Sequence, residues 1–152
     1  MSDRSVAHAT FAIERVYDAS PARVFEAWSD PEAKKRWFGP AETNGSHELD
    51  FRIGGQERSE AEHAGSRYTF DARYQDIVPD ERIVYAYDMY RGDRRISVSL
   101  ATVELAPAGA GTRLRFTEQA ALLDGQDTIG ERERGTGTLL ENLAAELQGK
   151  RV

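Results

Sequence analysis

At 152 residues, with 39 % hydrophobic and 30 % charged side chains, the chain suits one soluble globular domain with a sizeable core. Its formal charge of -6 excludes partners that demand a basic face, nucleic acid and anionic membrane among them. The absence of cysteine excludes a disulfide framework and thiolate chemistry.

Met1-Ser2-Asp3-Arg4-Ser5 has no apolar run behind it, so neither a signal peptide nor a membrane anchor is expected, and a cytoplasmic protein is the simplest reading. Residues 1–9 read as a loose, flexible arm and residues 10–149 as a single domain. From Thr10 onward Phe11, Ile13, Arg15 and Tyr17 alternate with polar or small residues, the period of a strand. Ser20-Pro21 opens a short helix with a capping hydroxyl and a proline in the first turn, and Val24, Phe25 and Trp28 form its apolar face. Asp30-Pro31 starts a second helix that carries Trp37 and Phe38 at its end and breaks at Gly39-Pro40. The run Lys34-Lys35-Arg36 reads as a solvated helix face.

A polar loop from Glu42 to Ser46 leads into strands. Leu49, Phe51 and Ile53 alternate with charged residues, and Gly54-Gly55 supplies the positive backbone angles of a two-residue hairpin turn. The return strand, Gln56 to Glu62, has no apolar face. A turn centred on Gly54-Gly55 sets Arg58 opposite Phe51 and Glu60 opposite Leu49. Cross-strand partners share a face, so Arg58 and Glu60 are expected to point inward.

Tyr68, Phe70, Ala72 and Tyr74 make the next strand, and Ile83, Tyr85, Tyr87 and Met89 the one after. Ile96, Val98 and Leu100 follow. The apolar parity then shifts to Val103 and Leu105, which predicts a bulge near Ala101. Thr112, Leu114 and Phe116 form the last strand; Glu118 continues their inward parity, while Arg113, Arg115 and Thr117 make the other face wet.

Between Glu131 and Gln148 the positions Thr136, Leu139, Leu140, Leu143, Ala144 and Leu147 recur at the spacing of one helix face. Gly135 and Gly137 flank Thr136, and each glycine inside a helix costs about 1 kcal/mol relative to alanine. Two explanations stand level. Either the missing side chains leave a cavity between helix and sheet, or another backbone approaches closely there. On the first, Phe51, Phe70, Tyr87, Val98, Phe116 and Leu139 line the cavity. The order strand, two short helices, six antiparallel strands and a long helix is α+β, a curved sheet with the long helix in its concave side.

Several stretches together resemble the START-like, helix-grip superfamily (SRPBCC), and within it the bacterial proteins similar to the C-terminal domain of the activator of a heat-shock chaperone ATPase. They are Ala27-Trp28-Ser29-Asp30-Pro31 with Arg36-Trp37-Phe38-Gly39-Pro40, Asp50-Phe51-Arg52-Ile53-Gly54-Gly55, Tyr74-Gln75-Asp76-Ile77-Val78-Pro79-Asp80-Glu81-Arg82, and Gly111-Thr112-Arg113-Leu114 with Phe116-Thr117-Glu118-Gln119. The resemblance implies a cavity for small apolar or amphipathic molecules. Superfamily members include polyketide cyclases, lipid or hormone carriers and a chaperone-binding branch, and the fold does not choose among them.

The polar residues narrow the choice only partly. His8, His47 and His63 make no metal constellation and read as exposed strand-end residues; no metal or cofactor is expected. No nucleophile with its base and no phosphate loop is visible. Glu118, carried inward in a dry cavity, is the candidate general acid-base, with Arg58 as its partner or that of a ligand's acidic group; a structural pair near the rim is the bland alternative. Tyr68, Tyr74, Tyr85 and Tyr87 bring hydroxyls among apolar rings, Trp37 and Phe38 sit where a pocket mouth is expected, and Thr136, Leu139 and Leu140 face it from the helix. The first expectation is therefore a protein that binds a small hydrophobic molecule. A cyclase-, dehydratase- or hydrolase-like enzyme comes second. A chaperone-interacting protein comes third, because the chain has no counterpart of the N-terminal domain of eukaryotic chaperone activators. A homodimer is left open.

Overall fold

Alternating side chains produce seven strands: β1 (Val6–Tyr17), β2 (Ser46–Leu49), β3 (Gln56–His63), β4 (Ser66–Val78), β5 (Arg82–Arg91), β6 (Arg94–Ala108) and β7 (Gly111–Leu123). Two short helices, α1 (Pro21–Ser29) and α2 (Pro31–Trp37), follow β1, and α3 (Ile129–Leu147) follows β7. The computed structural model describes residues 4–38 and 45–149; the expected break at Gly39-Pro40 and most of the loop after it lie outside them. Neighbouring strands are all antiparallel, in the order β1-β7-β6-β5-β4-β3-β2, and form one curved, unclosed sheet. This is the α+β helix-grip architecture that the element order implies. No helix among the described residues is long and apolar enough to cross a membrane.

The helices begin where side-chain oxygens can take up orphan backbone N–H groups. Ser20 accepts from the Arg23 amide at the start of α1. Asp30 ends α1 through its own N–H to Glu26 and caps α2 by accepting from the Ala33 amide, so one residue sets the corner between the two helices. Thr128 caps α3 by accepting from the Glu131 amide.

Strand β1 starts further back than a loose arm over residues 1–9 implies. Val6, Ala7, His8 and Ala9 pair with Leu123, Leu122, Ala121 and Ala120 of β7. The long β7 edge offers backbone partners there, and a ladder needs no apolar alternation to form.

The first hairpin departs most from expectation. Leu49 faces Glu57 and Glu48 faces Arg58, a slip of three residues from the register of a tight turn at Gly54-Gly55. The chain instead loops through residues 50–55 and binds the neighbouring strand: the Gly54 amide donates to Tyr74 O at 2.8 Å and the Tyr74 amide to Gly55 O at 3.0 Å. Gly55 is required because a Cβ there would collide with the carbonyl oxygen of Asp50. An odd slip turns every side chain to the opposite face. Glu57 is therefore fully buried, while Arg58 lies outside, where it pairs with Glu60 at 3.1 Å and Asp71 at 3.7 Å.

Strand β6 holds the second correction. Ser97, Ser99, Ala101, Val103 and Leu105 all point inward in unbroken alternation, and Val98 and Leu100 are exposed on the outer face. The bulge sits at the other end of the strand, where Met89 faces Ser97 but Tyr90 faces Arg95, leaving Ile96 as the extra residue. Side-chain chemistry points the wrong way here, because the inward serines have a buried partner on α3 described below.

Helix α3 buries Arg132, Thr136, Leu140, Leu143 and Glu146. Two contacts fix it beyond the apolar stripe. The Tyr17 hydroxyl donates to the Leu140 carbonyl at 2.9 Å, and burial pushes the Tyr17 pKa up. Arg36 of α2 grips the Glu146 carboxylate with Nε at 3.0 Å and Nη2 at 2.6 Å, so the run Lys34-Lys35-Arg36 is partly a docking surface. Leu143 is completely buried at the centre of the stripe. Leu143→Ala is expected to lower stability by about 2–5 kcal/mol, read as a clear fall in the urea midpoint.

Candidate functional site: a cavity beneath the long helix

Between the sheet and the first half of α3 lies a cavity of about 570 Å³. Its two ends differ in chemistry. At one end rings from α1, α2, β4 and β5 pack edge to face: Trp28 with Trp37 at 4.8 Å, Trp37 with Phe38 at 5.6 Å and Phe38 with Phe70 at 5.0 Å. Phe70 continues to Tyr85 at 6.1 Å and Tyr87 at 4.7 Å. Tyr68, Met89, Phe116, Leu139 and Leu140 complete the apolar lining.

At the other end Glu118 of β7 meets Arg132 of α3. The Tyr87 hydroxyl donates to Glu118 Oε2 at 2.8 Å, and Arg132 Nη1 donates to the same oxygen at 3.1 Å. Arg132 Nη1 also donates to the Tyr87 oxygen at 2.9 Å; Nη2 donates to Ser97 at 2.7 Å and Asp127 at 2.8 Å. Burial together with the Glu118 charge pushes the Tyr87 pKa up. Burial works against the Arg132 charge, but Tyr87, Glu118 and Asp127 outweigh it and the pKa is raised. Burial, with the neighbouring Tyr87, Glu118 and Glu57, also keeps the Tyr85 hydroxyl protonated. Arg132 takes the place that sequence reasoning gave to Arg58. The signal was present, since Arg132 stands four residues before Thr136 on the same helical stripe.

Behind the aromatic end lies a second buried ion pair. Lys34 Nζ donates to Glu57 Oε1 at 2.9 Å, both side chains being fully buried. Tyr74 donates to the same oxygen at 2.6 Å, and His47 Nε2 lies 2.7 Å from Oε2. The ammonium also sits 4.3 Å from the Phe38 ring and 5.0 Å from that of Trp28. Burial opposes the Glu57 charge, but Lys34, His47 and Tyr74 overcome it and hold the carboxyl at about 2. Burial lowers the Lys34 pKa, against the pull of Glu57. Lys34 is thus no solvated residue, and His47 is no exposed one; Lys34 lies three residues before Trp37 and shares its face.

Of the residues expected at the site, Trp37, Phe38, Tyr68, Phe70, Tyr85, Tyr87, Phe116, Glu118, Thr136, Leu139 and Leu140 line this one cavity. Four do not. Arg58 and Val98 are on the outer face for the reasons of register given above. Phe51 packs against Phe25 at 5.6 Å and Tyr74 at 4.9 Å, and Tyr74 turns its hydroxyl to Glu57. The helical glycines are also resolved. A Cβ on Gly135 would meet nothing, and one on Gly137 only Arg15 Nη2 at 3.8 Å, so no backbone approaches closely. Gly135 lines the cavity.

A curved sheet that grips a helix over a cavity of mixed polarity defines a helix-grip protein. The chain belongs to the family described as activator of Hsp90 ATPase homolog 1-like protein, which matches residues 18–148. An uncharacterised protein from Rhizobium leguminosarum is similar at 46 % identity and a TM-score of 0.91, covering 97 % of this chain and 99 % of the other. A protein from Rhizobium loti is similar at 50 % identity and a TM-score of 0.87, covering 93 % and 99 %. A third, from Chromobacterium violaceum, shares 30 % identity at a TM-score of 0.77, covering 91 % and 96 %. No match was found among functionally curated proteins.

Removing one partner from a buried pair strands the other charge. Lys34→Met is expected to cost about 3–5 kcal/mol, and the double variant Lys34→Met/Glu57→Gln to recover part of that loss; chemical denaturation of the four-member cycle measures the coupling. The Glu57 pKa lies below its ordinary 4.5, at about 2. Its ionisation therefore stabilises the fold fully above about 4.5 and is lost as the pH falls toward 2. Denaturation curves at a series of acid pH values should fall less steeply for Glu57→Gln than for the wild type across that window.

Proposed function

We propose that this protein binds a small, largely apolar molecule beneath α3. The observation that carries the reading is the lining itself, an aromatic and aliphatic wall that ends in one buried polar cluster. Ligand sites in proteins have this make-up and this range of volume, about 300–1,000 Å³. A solidly packed core would fill such a space, since interiors are close-packed. The partner in this reading is a diffusible metabolite, in keeping with a formal charge of -6 that suits neither nucleic acid nor an anionic membrane.

Acid-base catalysis of cyclase, dehydratase or hydrolase type is the second reading, favoured by the convergence of Glu118, Tyr87 and Arg132 at one end of the cavity. Docking to a chaperone, which the family's name suggests, would engage an outer face and leave the cavity without a role.

The neutral fluorescent probe N-phenyl-1-naphthylamine tests the binding reading. The wild type is expected to bind it saturably at one site, with quenching of Trp28 and Trp37, which line the cavity. Leu139→Trp, which places a larger ring in the cavity wall, should weaken binding at least about tenfold, the effect of losing roughly 1.4 kcal/mol. Equal binding by both proteins would place the probe elsewhere and overturn the reading.

A further inference from the structure

We infer that the polar end of the cavity receives a hydrogen-bond donor, so that the ligand is an apolar molecule carrying a hydroxyl or a comparable donor, and not a fatty carboxylate. The inference rests on the binding function proposed above and names the class of ligand.

Glu118 is 1 % exposed and lines the cavity. Its two oxygens are treated unequally. Oε2 accepts from Tyr87 and from Arg132, whereas Oε1 is buried and receives no donor among the described residues. A buried carboxylate oxygen left without a donor is costly, and native structures rarely keep one. Arg132 has committed its terminal nitrogens elsewhere: Nη1 serves Tyr87, Ser99 and Oε2 of Glu118, and Nη2 serves Ser97 and Asp127. A molecule that enters the cavity is placed to supply the missing donor. The one other buried side-chain polar atom without a partner among the described residues, Trp28 Nε1, belongs to the same lining. Both unsatisfied groups thus belong to residues that line a single cavity, as expected if a bound molecule completes them.

The same geometry excludes an acidic headgroup. A ligand carboxylate at this end would meet the unpaired Glu118 oxygen and Asp127, with the Arg132 guanidinium already spent on both. Like charges brought together without a cation repel and cost desolvation. A hydroxyl places its proton on Oε1 and its chain among the rings.

Two probes of one skeleton separate the possibilities: 2-nonanol, which donates, and 2-nonanone, which only accepts. Isothermal titration of the wild type should show the alcohol binding at least about tenfold more tightly, as a hydrogen bond to a charged acceptor implies. Nonanoate should bind more weakly than either. In Glu118→Gln the donors Tyr87 and Arg132 hold the amide oxygen at the Oε2 position and turn the NH₂ to the Oε1 position. The preference for the alcohol should then fall to within about twofold, because alcohol and ketone both accept. Equal affinity of the two probes for the wild type, or tightest binding of nonanoate, overturns the donor inference and leaves the cavity reading intact. No binding of any of the three, together with no binding of the naphthalene probe, overturns the cavity reading itself. The wild-type comparison stands whether or not the variant folds.

Discussion

A space beneath a helix persists only if something prevents the helix from settling onto the sheet. Here that element is the ion pair of Arg132 with Glu118. A long side chain, hydrogen-bonded through both terminal nitrogens, projects from the first half of α3 and ends on β6, β7 and the hydroxyl of Tyr87. It ties the helix to the sheet at a distance set by the arginine stem, and its many bonds make that distance stiff. The far end of the same helix is closed down by Arg36 on Glu146 and by leucines at direct contact. One half of α3 therefore packs, and the other half is held off.

The aromatic end depends on a second buried charge pair. Rings stacked edge to face need a backing, and Lys34 supplies one that attracts ring faces and is itself neutralised by Glu57. Such a pair is costly to desolvate and contributes little net stability over an apolar substitute. What it contributes is position. Glu57 takes bonds from α2, β2 and β4 at once through Lys34, His47 and Tyr74, so three elements meet at one carboxylate. The hairpin slip that placed Glu57 inside is thus a condition for the location of α2.

Much of this was legible in the sequence. Every element exists in the order read from periodicity, and the inward set of β4, β5 and β7 follows strict alternation, Glu118 included. Most of the departures share a cause: polarity is read as evidence of position. Lys34 reads as solvated because charged residues usually are, Arg132 goes unmarked beside an apolar stripe, and Val98 and Leu100 read as core, which turns Ser97 and Ser99 outward. Buried polar groups are satisfied in pairs, and a pair is invisible until both partners are placed. The hairpin failed for a different reason. Gly54-Gly55 has the chemistry of a tight turn, but its backbone bonds to Tyr74, twenty residues on and in another strand. A local rule cannot see that competitor.

The division of the cavity wall has a consequence for how such a protein changes over time. The polar residues of the wall lie on β5, β6, β7 and the start of α3, whereas its rings come mainly from α1, α2 and β4. Tyr87 joins the two sets, packing on Phe70 while bonding Glu118 and Arg132, and a substitution away from it acts mainly on one set. For the binding function proposed above, tail length and head chemistry can therefore drift as largely separate heritable traits, and a lineage built on this scaffold can exchange one cargo for another by small steps.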